Sequence, residues 1–155
     1  MGAMGPLGAL RRLLPGLWAG VLLGVAVLAA PAPFATLAPA DAGRVVARVL
    51  MHEAYLSLAL GTLLLLLERL VARQAVARGG SQFSTGMVLA LATLFCTLAG
   101  YFGLQPLMAA ARGGQGALSF GQLHALSAGF FLAKLALVLA LAWRALRTGG
   151  KGPAA

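Results

Sequence analysis

With 155 residues, 61% of them hydrophobic and 10% charged, the chain has too little polar surface for a water-soluble globule, which carries about 25% charged residues. Its 3 acidic residues, Asp41, Glu53 and Glu68, stand against 12 Lys and Arg, for a formal net charge of +9. Those cations flank apolar runs, without a stripe along one face or aromatics interleaved for base stacking, so they point to anionic lipid headgroups and away from nucleic acid.

Four stretches have the length of a membrane span, about 20 apolar residues as a helix. Residues 13–40 and 79–111 carry no charge; 49–67 hold only His52 and Glu53 as ionisable groups, and 113–143 only His124 and Lys134. The expected fold is all-α, an antiparallel four-helix transmembrane bundle forming one membrane domain over 1–155. The helices are expected at about 14–32, 42–78, 83–105 and 120–148, with a loose tail over 149–155.

The first helix is expected to start near Pro15, since proline suits the first turn, and to end at Pro31-Ala32-Pro33. Asp41 suits the N-cap of the second, which should run past Glu68, Arg69 and Arg73 and stop at Gly79-Gly80. Pro106 should stop the third helix. Ser119 and Gln122 have the spacing of a capping box for the fourth.

Arg11 and Arg12, then Arg69, Arg73 and Arg78, then Arg144, Arg147 and Lys151 lie on one side of these spans. The other side has Arg44, Arg48 and Arg112. Positive loops stay in the cytoplasm, which puts both termini inside, in a plasma membrane of the bacterial (inner membrane) kind. The first 35 residues also have the layout of a signal peptide, with Arg11-Arg12, an apolar core and small residues at Ala29-Ala30. Gly16, Gly20 and Gly24, spaced for close helix approach, argue for a retained helix.

A second small-residue stripe, Ala125, Gly129, Ala133, Ala136 and Ala140, lies on the fourth helix. Both stripes are expected to seat helices within the bundle, with a homo-oligomer through either as the alternative. Cys96 stands alone, which excludes an intrachain disulfide.

Ionisable groups inside a span need a partner or a cavity. Arg48, His52 and Tyr55 share one face of the second helix, with Glu53 beside it; His124, Ser127 and Lys134 share a face of the fourth. Together with Arg112 they make a candidate polar cluster in the outer half. Lys134 falls near mid-span and leans toward the N-terminal end of its helix, where Glu53 lies on a parallel helix. A buried Glu53–Lys134 pair, direct or water-bridged, is expected, against a lysine that snorkels alone or sits neutral in a polar pocket. His52 and His124 could ligate haem, or copper with Met51 and Met108. No recognised ligand spacing backs that, and polar residues hydrogen-bonded across helices are the simpler expectation, with no cofactor and no catalytic residues. No nucleophile–base pair or phosphate-binding loop is present to suggest an enzyme. A small carrier or channel, as an oligomer, is the other alternative.

The run Leu17-Trp18-Ala19-Gly20, then Pro31, Phe34 and Ala42-Gly43-Arg44-Val45-Val46, resembles the transmembrane protein 205-like family. So do Tyr101-Phe102-Gly103-Leu104-Gln105-Pro106-Leu107-Met108, Arg112, and Phe120-Gly121-Gln122-Leu123-His124-Ala125-Leu126-Ser127. The likeness covers about Leu13 to Trp143 and implies a four-helix membrane domain with its first helix retained. Its bacterial branch is a domain of unknown function, so the likeness implies no catalytic residues. From the polar cluster in its outer half, the protein is expected to bind a small ligand or ion, or to support a membrane complex.

Overall fold

A computed structural model describes residues 5–76, 81 and 83–149, apart from the side chains of 75, 148 and 149. Four helical stretches are long and apolar enough to cross a membrane: Pro6–Ala35, Pro39–Gln74, Thr85–Arg112 and Phe120–Arg147. The protein is an all-helical membrane bundle. Its regular helices are α1 (Pro6–Gly24), α2 (Pro39–Val76), α3 (Thr85–Thr97), α4 (Leu104–Arg112) and α5 (Phe120–Gly149). The expected stop at Gly79-Gly80, and the tail beyond Gly149, lie outside the described residues.

Several boundaries differ from the sequence reading, each for a local reason. Pro6, not Pro15, takes the first-turn position of α1, and Pro15 lies buried inside the helix. A π-helical turn, Val25–Ala29, extends that span until Pro31 and Pro33 turn it into a short 3₁₀ segment. Asp41 sits in the first turn of α2, not at its N-cap, where its charge still favours the helix N-terminus. The Ser84 side chain caps α3.

Pro106 does not stop the third span. A second π-helical turn, Leu98–Gly103, precedes it, and α4 carries the span on to Arg112. A π turn loosens the hydrogen-bond ladder, here just ahead of the residue that has no N–H to give. The Gly100 carbonyl within that turn accepts the Ser127 hydroxyl at 2.8 Å. At α5 the expected capping box is present: the Ser119 N–H donates to the Gln122 side chain at 2.9 Å, and the Gln122 N–H to the Ser119 hydroxyl at 3.3 Å.

The helices pack as a ring in the order α1, α2, α3, α5, so α2 and α5 face each other across a diagonal. In the half nearest the chain termini the ring is closed. Trp18, Leu22, Leu64, Leu67, Val138 and Leu141 form its core. In the other half, toward the connections 30–38 and 113–119, the bundle parts into two pairs. The π turn Val25–Ala29 and the 3₁₀ segment stay against α2, whereas α4 stays against α5 around Leu104, Met108 and Leu123. Below, these halves are the terminal half and the loop half.

The small-residue stripes do not seat the helices, contrary to expectation. Gly16, Gly20, Gly24 and Gly129 have no neighbouring atom within 4 Å of where a Cβ would sit, and Ala125 and Ala133 are exposed. Both stripes face away from the bundle. Close approach is made instead at isolated glycines. A Cβ on Gly61 would lie 2.8 Å from Leu94 Cδ2 and 3.1 Å from Trp18 Cη2, and one on Gly100 would collide with Phe130 Cβ.

Candidate functional site

At mid-bundle the diagonal is bridged. Lys134 Nζ of α5 donates to both carboxylate oxygens of Glu53 of α2, at 2.7 and 2.8 Å. Both side chains are 4% exposed, so this is a buried pair. The expected Glu53–Lys134 contact is therefore present. The Ser57 hydroxyl, one turn along α2, also donates to Glu53, and the Trp18 indole N–H of α1 donates to Ser57 at 3.0 Å. The ammonium lies 4.9 Å from the centroid of the Phe131 ring, whose face attracts a cation. One chain of donors and acceptors thus ties three helices together. Among the described residues, no buried side-chain nitrogen or oxygen lacks a partner.

Above this bridge, where the bundle parts, lies a groove of about 890 Å³. Its walls are mostly apolar, with Val25, Phe34, Leu50, Met108, Phe131 and Leu132 among them. Glu53 and Lys134 lie at its deep end; Arg44, Arg112 and His124 line it near the loop connections. Glu53 is 14 residues into α2, so the groove reaches roughly 21 Å down the helix at 1.5 Å per residue. Both π-helical turns border it, through Val25 and Ala26 on one side and Gly100 and Tyr101 on the other. Cys96, the free cysteine, also lines it.

The mouth has its own order. The Arg112 guanidinium lies 4.7 Å from the Phe120 ring centroid, and Phe120 stacks with His124 at 5.9 Å and 18°. Glycines make this possible: Gly114 and Gly116 have φ of 72° and 105°, a left-handed backbone that reverses the chain between Arg112 and Phe120.

The structure divides the polar cluster expected from sequence. Glu53 and Lys134 are buried at the deep end, Arg112 and His124 stand at the mouth, and Ser127, beside the groove, holds the Gly100 carbonyl. Arg48, His52 and Tyr55 are exposed and do not line the groove. Tyr55 instead meets Phe102 edge-on at 5.4 Å. Only one of the two histidines therefore reaches the groove. Among the described residues, no three His, Cys, Asp or Glu side chains gather as a metal would require.

A second ionic knot, absent from the sequence reading, joins α1 and α2 to the start of α3. Glu68, 6% exposed, accepts from Arg11 Nε of α1 and from the Ser84 hydroxyl at 2.9 Å, while the Ser84 oxygen accepts the Met87 N–H at 3.1 Å. The carboxylate thus closes α1 and α2 onto the N-terminus of α3, where its charge is favoured. Its rarity was the available signal, since a chain with 3 acids has few to leave idle. Gly86 leaves room for it, because a Cβ there would run into the Glu68 carboxylate. Gly86→Ala should therefore lower stability by about 1–3 kcal/mol, read as the unfolding midpoint in a denaturing detergent. Gly43→Ala, where a Cβ meets nothing within 4 Å, should leave it unchanged; equal effects would show that Gly86 is not the space the carboxylate needs.

Fold and groove together define a multi-pass integral membrane protein with a lateral apolar recess in one half. Residues 13–117 match the sequence profile of the family described as Domain of unknown function (DUF4149), and the chain belongs to that family. No curated protein and no solved structure matches the chain.

Proposed function

We propose that this protein binds a membrane amphiphile, whose apolar chain occupies the groove of the loop half. The observation that carries this reading is the groove itself. Its volume lies in the upper range for small-molecule sites, its walls are apolar, and its polar groups sit at the two ends. A carrier or channel fits less well, because the groove is blind: the Glu53–Lys134 bridge spans its floor and the Trp18 core fills the half beneath.

The membrane placement belongs to the same proposal. Arg11, Arg12, Arg69, Arg73, Arg144 and Arg147 cluster at the terminal half, against Arg44, Arg48 and Arg112 at the other. By the preference of positive segments for the cytoplasm, the termini face inward and the groove lies in the outer leaflet of a plasma membrane of the bacterial kind. The likeness to the transmembrane protein 205-like family implies four helices with the first retained, an even count that puts both termini on one side.

The test is lipid retention. Protein extracted in mild detergent should carry phospholipid, detected by native mass spectrometry. Ala128→Phe, which fills the groove from an exposed lining position, should remove most of it. Ala140→Phe, exposed on α5 away from the groove, should retain it. Equal retention by all three proteins would overturn the reading.

A further inference from the structure

Every acidic side chain is engaged in an ion pair. Asp41 pairs with Arg44, Glu53 with Lys134 and Glu68 with Arg11, which accounts for all 3 acids. Of the loop-half arginines, Arg48 is exposed off the groove and Arg112 lines its mouth. Arg112 therefore brings a positive charge to the groove that no carboxylate among the described residues neutralises. Phe120 holds its guanidinium on the ring face, with the His124 imidazole stacked against the same ring. A guanidinium held this way keeps its planar fork of donors, suited to two oxygens of one phosphate.

The deep end asks for nothing. The Lys134 ammonium is already met by two carboxylate oxygens and an aromatic face, and the Glu53 carboxylate by Lys134 and Ser57. That bridge is neutral as a pair and self-satisfied. The groove therefore has one unbalanced charge, at the level of the helix ends, above walls that suit a hydrocarbon chain.

From this juxtaposition we infer that the occupant is an anionic phospholipid, its phosphate on Arg112 beside His124 and its acyl chain running down toward the Glu53–Lys134 floor. Arg112 is the residue that sets the headgroup charge preference. The inference rests on the amphiphile reading of the groove and adds the identity of the headgroup.

Binding of phosphatidylglycerol and of phosphatidylcholine with the same acyl chains, titrated into the delipidated full chain in neutral detergent, tests it. Wild type should favour phosphatidylglycerol by about tenfold, because both lipids offer Arg112 a phosphate but the choline cation of phosphatidylcholine cancels that charge at the mouth of the groove. Arg112→Gln should bind both lipids alike, and Arg112→Lys should keep part of the preference. Arg48→Gln, which removes the same charge away from the groove, should keep all of it. Inorganic phosphate should fail to compete, because the chain supplies most of the affinity. No preference in wild type, or equal loss in Arg48→Gln, would overturn the assignment of Arg112 while leaving the groove standing. Full competition by inorganic phosphate would make this a simple anion site and also overturn it. Undiminished binding of both lipids by Ala128→Phe would instead bring down the groove reading itself.

Discussion

Lys134→Met is expected to destabilise the bundle by roughly 3–5 kcal/mol, the usual cost of leaving one buried charge without its partner. Glu53 would keep the Ser57 hydroxyl and lose both bonds from the ammonium. Glu53→Gln should act in the same direction, since the ammonium would then face a neutral amide. The double variant Glu53→Gln with Lys134→Met should recover most of the loss, because removing both charges removes the need for compensation. Unfolding midpoints in a denaturing detergent measure all three. A double variant as unstable as the sum of its parents would show that the two groups do not act as a pair.

Trp18→Ala should cost about 3 kcal/mol. The side chain is fully buried at the centre of the terminal half, and deleting a buried tryptophan leaves a cavity worth about 3–5 kcal/mol. A value near the lower bound is expected, because in lipid the loss falls on packing and not on removal from water. Trp18→Phe should cost about 1 kcal/mol, mainly the hydrogen bond to Ser57. Trp143→Phe, at a position 57% exposed, should change stability by less than about 0.5 kcal/mol. Because Trp18, Ser57, Glu53 and Lys134 form one chain, Trp18→Phe combined with Lys134→Met should deviate from additivity. Strict additivity would argue that the indole and the ion pair are energetically separate.

The spans were legible in the sequence because charge is so sparse that its absence marks each crossing. The Glu53–Lys134 contact was legible for a related reason: an ammonium at mid-span must find a partner, and few carboxylates exist. The Ser119–Gln122 cap followed from spacing alone. What periodicity could not supply was direction. Arg48, His52 and Tyr55 do share a helix face, yet that face points away from the groove. In a helix apolar all round, the pattern groups residues without saying which group turns inward.

The glycines carry the same lesson. Gly16, Gly20 and Gly24 have the repeat associated with helix contact, but they face outward, while the solitary Gly61, Gly86 and Gly100 make the close approaches. A lone glycine becomes informative only when its neighbour is known: Trp18, Glu68 or the Phe130 Cβ. The π-helical turns escaped for a different reason. Pro106 reads locally as a helix stop, but a π turn stands before it and α4 carries the span on to Arg112. The groove was therefore not visible in the residues taken singly, since it lies between helices that part, bordered by both turns.

A lipid chain is proposed to lie inside the parted half. A phospholipid with a photoactivatable diazirine on its acyl chain, added at stoichiometric amounts to the protein in detergent and crosslinked by light, reports this directly through peptide mapping. Adducts should concentrate on Cys96, Met108, Phe131 and Leu132, which line the groove, and should disappear in Ala128→Phe. Adducts spread over outward residues such as Leu17 and Leu139, indifferent to Ala128→Phe, would contradict it.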